Sequence, residues 1–255
     1  FHDLHGRAYV SLTEENTAKT FPIRSTAFRD WLSKTYYQAT GKSPHAQAFQ
    51  EALGVCEALA KFDGPTLPVF TRVGEKEGKI YLDLGDPTWR VVEIDADGWR
   101  IMAPSPVKFI RPSGLLPLPI PEAGGNIRDL RALLNLPPGG PGDRSWVLIV
   151  SWLVMALNPH GSYPLLAIHG GEGAAKTTAA RMLRELIDPN SAALRAEPRE
   201  VRDLMIAGKN SWIAAFDNLT ALPQWLSDAL CRLATGGGFA TRALYTDDDE
   251  VLFEC

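Results

Sequence analysis

Nine consecutive residues carry the clearest chemistry in the chain: Gly170-Gly171-Glu172-Gly173-Ala174-Ala175-Lys176-Thr177-Thr178. They fit the pattern G-x-x-x-x-G-K-[ST], with Ala175 standing where the last glycine is usual. Small side chains let successive backbone N–H groups converge on phosphate oxygens. A helix starting near Lys176 adds its unpaired N–H groups and the positive end of its dipole. In such a loop Lys176 reaches the β- and γ-phosphates and the Thr177 hydroxyl ligates Mg²⁺. Ala175 is acceptable there if its φ is negative, because it adds only a methyl group. A glycine-rich turn from strand to helix is the plainer reading of the same residues.

A second motif favours the phosphate reading. Trp212-Ile213-Ala214-Ala215-Phe216-Asp217-Asn218 is an apolar stretch ending in an acid. An acid emerging from a strand beside a phosphate loop holds Mg²⁺, as in a Walker B site. Asp217 is therefore the second expected metal-site residue. Asn218 follows where many P-loop motors carry a second acid. An amide orients water but takes no proton, so hydrolysis is slow or the base comes from elsewhere.

The loop, the Phe216-Asp217-Asn218 strand end and the segment Ala234-Thr235-Gly236-Gly237-Gly238-Phe239-Ala240-Thr241-Arg242-Ala243-Leu244-Tyr245 together resemble the helicase part of phage and mobile-element primase-helicases. These are similar to superfamily 3 helicases within the AAA+ ATPases. The resemblance covers residues 145–255. It implies an ATP- and Mg²⁺-dependent motor that acts on single-stranded or duplex DNA as a homo-oligomeric ring. It places Gly237 and Arg242 on a hairpin facing a central pore, where they contact DNA or a neighbouring subunit. A salt-bridged surface position is the other reading of Arg242. The hairpin tip, Thr246-Asp247-Asp248-Asp249-Glu250, carries four acids that repel phosphates. A nucleotide-dependent switch or loader without translocation, and a non-enzymatic module with a vestigial loop, are the competing readings.

These motifs need elements to position them. Behind the loop, residues 164–168 read as a short buried strand, 176–187 as a helix, 198–207 as a second helix and 211–216 as a second buried strand. Residues 222–234 form an amphipathic helix, and 239–245 with 250–253 a β-hairpin. Strands alternating with helices point to an α/β fold with a parallel layer, and the resemblance implies that residues 145–255 are an AAA+-like P-loop core. The run Pro137-Pro138-Gly139-Gly140-Pro141-Gly142 neither continues a helix nor donates well to a sheet, so the border is expected at 137–144.

Residues 1–136 read as a smaller α+β domain with no assignable activity. Phe28, Trp31, Leu32, Thr35 and Tyr36 make one face of a helix over 24–37, with Ser25 as cap. Core packing is favoured for these aromatics over base stacking. A second helix spans 44–62 with Ser43 as cap. Short strands follow at 68–73, 79–84, 89–94 and 99–102, separated by turns at 74–78, 85–87 and 95–98. Trp89 and Trp99 read as packing residues. The turn Asp95-Ala96-Asp97-Gly98 lacks the further ligand spacing of a calcium loop. Residues 104–121 are proline-rich and extended, and 126–136 suit a short helix.

Composition bounds the rest. The chain has 255 residues, 45% hydrophobic and 22% charged, with net charge -4. Residues 1–144 hold 17 Lys+Arg against 17 Asp+Glu; residues 145–255 hold 9 against 13. No global basic field draws nucleic acid in, which leaves a local basic groove as the route. Cys56, Cys231 and Cys255 form no Cys-x-x-Cys and fit a reducing cytoplasm. The five histidines make no zinc pattern. The longest apolar run, residues 146–157, falls short of the ~20 residues of a membrane span, so no membrane partner is expected. Phe1 opens the chain without Met and residues 251–255 read as mid-strand, which suggests a piece of a longer protein carrying the sensor asparagine and arginine finger downstream.

Overall fold

The computed structural model describes residues 1–14, 17–139, 143–219, 221–235, 239–242 and 250–253. It divides into two compact units. Phe1–Asp83 with Pro87–Arg111 form one, and Leu84–Asp86 with Pro112–Cys255 the other.

The first unit opens on an antiparallel hairpin of β1 (Tyr9–Glu14) and β2 (Thr17–Pro22). Tyr9 donates its hydroxyl to the Asp3 carboxylate at 3.1 Å. Burial beside that carboxylate pushes the phenol up to about 12. Helix α1 (Thr26–Thr40) begins where expected, with the Ser25 hydroxyl accepting from Phe28 N–H. Phe28 is buried with Trp31 stacked on it at 5.8 Å between centroids. Tyr36, expected on the same face, is instead 42% exposed, because only the N-terminal half of the stripe meets the core. Helix α2 (Ala46–Ala58) runs into a π-helical turn (Leu59–Asp63). Its cap position is His45 rather than Ser43, and no side chain completes it.

A four-stranded antiparallel meander follows: β4 (Val73–Lys76), β5 (Lys79–Asp83), β6 (Val91–Asp95) and β7 (Gly98–Met102). The stretch 74–78 is thus mostly strand. The reversal is confined to Glu77 and Gly78, both at positive φ, which suits a two-residue hairpin turn. The short strands β3 (Val69–Phe70) and β8 (Lys108–Phe109) pair in parallel. Trp89 packs as expected, with the Arg111 guanidinium 3.9 Å above its ring and Phe21 edge-on. Trp99 is 45% exposed and does not.

The second unit is mainly helical. It contains α3 (Ile127–Leu133), α4 (Arg144–Met155), α5 (Lys176–Glu185), α6 (Val201–Lys209) and α7 (Gln224–Ala234). Strands β9 (Phe239–Arg242) and β10 (Glu250–Phe253) pair antiparallel. Leu134, Ile149, Leu153, Leu183 and Ile187 form one core, and Leu204, Met205, Leu226 and Ala229 a second.

Two features differ from the sequence reading. The prolines and glycines at 137–142 punctuate the chain without separating cores. Leu134 and Leu136 pack with Ile149 and Leu153 from across that stretch, and Arg131 pairs with Asp143 at 2.6 Å. The short helix α3 therefore belongs to the second unit. Residues 164–168 and 211–216 form no ladder, and the second segment bends at Trp212 and Ile213. Along 164–168, Leu166 and Ile168 turn inward, whereas Leu165 is 57% exposed. That alternation marks a one-sided segment rather than a strand covered on both faces. Parallel pairing among the described residues of this unit is the single bridge Arg195↔Phe216. No helix among the described residues is long and apolar enough to cross a membrane.

Candidate nucleotide and metal site

Helix α5 begins at Lys176, so its first N–H groups open onto the Gly170–Ala175 loop. Gly173 turns the loop at φ +75°. Ala175 occupies the cap position at φ 61°, ψ 26°. The negative φ expected there is not what the chain adopts. The left-handed turn that the usual glycine makes is retained, with a Cβ added. Ala175→Gly is therefore expected to raise the unfolding free energy by roughly 0.5–1 kcal/mol, without loss of ligand binding. Urea denaturation measures this, and an unchanged or lower midpoint would contradict it.

The Lys176 ammonium folds back over the loop, donating to Gly170 O at 2.8 Å and Gly171 O at 2.7 Å. Asn135 donates its amide to Ala174 O at 3.3 Å. Glu172 and Thr178 are exposed.

Thr177 lies one residue into the helix. Its hydroxyl donates to the Asp217 carboxylate, 3.2 Å from Oδ1 and 3.0 Å from Oδ2. Asn218 N–H donates to Asp217 Oδ1 at 3.0 Å, and Asn218 itself turns left-handed at φ 57°. The chain reaches this geometry through a buried carboxylate and one neighbouring backbone segment rather than a full sheet. Asp188 Oδ2 accepts from Trp212 N–H at 2.9 Å and Ile213 N–H at 3.0 Å. Further on, Arg195 N–H donates to Ala215 O and Asp217 N–H donates to Arg195 O, both at 2.9 Å. Those bonds use the donors and acceptors that a longer ladder would have used.

An open depression of about 470 Å³ lies against this pair. Thr177, Arg181, Leu194, Arg195, Ala196, Glu197, Asp217 and Asn218 line it. The structure thus brings Thr177, Asp217 and Asn218 together and sets the Lys176 loop at the start of the same helix. It adds three residues not singled out from sequence. Arg181 is four positions after Thr177 on one helix, so helical spacing alone could have found it. Arg195 and Glu197 come from a segment that nothing in the sequence pairs with 212–218. Of the two expected DNA or interface contacts, Gly237 lies outside the described residues, as do Thr246 to Asp249 of the hairpin tip. Arg242 falls on β9 with Glu250 as its cross-strand partner.

The second unit is similar to replication proteins of mobile genetic elements. The matching family model is described as actinomycete integrative conjugative element replication protein, and it matches residues 139–254. That span takes in the loop, Asp217 and Arg242. No curated protein and no solved structure matches the chain.

Proposed function

We propose that the second unit is the ATP-binding, ATP-hydrolysing core of a mobile-element replication protein that acts on DNA. One observation carries this reading: the Thr177 hydroxyl rests on the Asp217 carboxylate, 40 positions away, at the N-terminus of the helix that Lys176 opens. A hydroxyl beside a carboxylate is a set of hard oxygen donors of the kind Mg²⁺ selects, and it fits the metal that accompanies ATP. Thr177 and Asp217 would hold that ion, which neutralises charge on the β- and γ-phosphates when bound. The loop N–H groups and Lys176 bind the phosphates. Asn218 orients water through its amide.

The family match supports the replication setting. The parallel bridge Arg195↔Phe216 beside the acid is consistent with an AAA+-like P-loop arrangement. Assembly as a ring, contact with DNA through Arg242, and a cytoplasmic location complete the proposal. The test is ATP turnover by the purified protein with and without single-stranded DNA. Binding of ATP together with DNA-stimulated release of phosphate is expected. No nucleotide binding by calorimetry would leave only the vestigial module. Tight binding without DNA-stimulated turnover would select the switch or loader, the reading that Asn218 favours.

A further inference from the structure

We propose that Glu197 is the general base of ATP hydrolysis, which rests on the ATPase reading above and supplies the step that Asn218 cannot. Two carboxylates line the depression, those of Asp217 and Glu197. Asp217 is committed to the Thr177 hydroxyl and to the Asn218 N–H. Glu197 is half-buried, and its carboxylate has no hydrogen-bond or ion-pair partner among the described residues.

Its segment is held beside that of Asp217 by the backbone: Arg195 and Phe216 pair in parallel at an isolated bridge, with Asp217 N–H donating to Arg195 O. Glu197, two residues on from Arg195, lines the same depression as Asn218, two residues on from Phe216. Other P-loop motors carry a second acid at the Asn218 position; here the neighbouring segment brings an acid to that depression. Pro198 follows and is buried, which holds Glu197 in extended backbone at the wall of the depression.

The same wall carries compensating charge. The Arg181 and Arg195 side chains line the depression, and neither has a hydrogen-bond or ion-pair partner among the described residues. Arg195 Nε is among the buried polar atoms with no partner. Two cations in the depression would stabilise the negative charge of a phosphoryl group bound there. In the step, the water oxygen bonds to the γ-phosphorus while its bond to the bridging oxygen breaks. ADP leaves with that electron pair, inorganic phosphate forms, and the water proton passes to the Glu197 carboxylate and then to solvent.

The test uses the full chain carrying Glu197→Gln, an amide of the same shape that accepts no proton. Titration with a fluorescent ATP analogue is expected to give a dissociation constant within about twofold of the parent, while the turnover number falls about 10²-fold or more. Asn218→Asp added to that variant is expected to restore at least about a tenth of parental turnover, because it returns a carboxylate to the same depression. Parental turnover in Glu197→Gln overturns the proposal, and so does loss of turnover that only follows loss of ATP binding. If Glu197→Gln fails to fold, Glu197→Asp replaces it, with loss of ATP binding overturning the proposal and retained binding with reduced turnover supporting it. A parent that binds no ATP instead overturns the ATPase reading itself, so the two failures are distinguishable.

Discussion

On the proposed reading, Lys176→Ala is expected to weaken ATP binding by roughly 10- to 100-fold while leaving the thermal midpoint of the protein within about 1 °C. The size follows from the interaction removed. A charge-assisted hydrogen bond contributes about 1.5–3 kcal/mol, and each 1.4 kcal/mol is a factor of ten in affinity. The stability expectation follows from where the side chain ends. Lys176 Nζ lies over the exposed loop, on two carbonyl oxygens that water can satisfy in its absence. Calorimetric titration of both proteins with ATP and Mg²⁺ gives the answer. Equal affinity in the variant would remove the phosphate-loop reading and with it the assignment of Thr177 and Asp217.

The second large effect lies away from the phosphates. Asp188→Ala is expected to cost about 3–5 kcal/mol of stability, a fall in midpoint on the order of 10 °C. Asp188 and Arg184 are each 1% exposed, with Arg184 Nη2 at 3.9 Å from Asp188 Oδ2. The same carboxylate oxygen holds two backbone N–H groups at the start of the segment that ends in Asp217. Truncation strips two half-buried donors of their acceptor and takes the anion from a fully buried cation. Arg184 keeps its bonds to the carbonyl oxygens of Ala192 and Ala193 on the way to Arg195. The pair therefore fastens both segments that meet at the depression to helix α5. Urea denaturation followed by tryptophan fluorescence measures the loss, and a cost below about 1 kcal/mol would show the network to be dispensable. Combined with Arg184→Met, the Asp188 change is expected to cost less than alone, because no buried charge is then left over.

What the residues declare about themselves was readable in advance. The loop composition, Lys176 and Thr177 specify a helix start with small neighbours, and the apolar run before Asp217 specifies an acid at a chain reversal. Ser25 announces α1 by the bond its hydroxyl makes three residues on. The unread part depends on partners remote in sequence. Hairpin β1–β2 has no turn dipeptide of the usual kind between its strands. The register of Arg195 against Phe216, and so the position of Glu197, is a tertiary fact with no local signature. Among the described residues the expected parallel sheet is reduced to the Arg195↔Phe216 bridge, for a related reason. An apolar run specifies burial, but the pairing of its N–H and C=O groups is decided by what comes alongside, here the Asp188 carboxylate and the Arg195 backbone. The left-handed Ala175 shows the converse, a loop shape kept after its usual residue is gone.

The fold of Lys176 onto its own loop has a further consequence. Two carbonyls hold the ammonium, so on the proposed ATP-binding reading a phosphate would have to replace them as its partners. Any affinity for nucleotide would then be a difference between two satisfied arrangements of one side chain, and exchange between them would leave the loop backbone where it is.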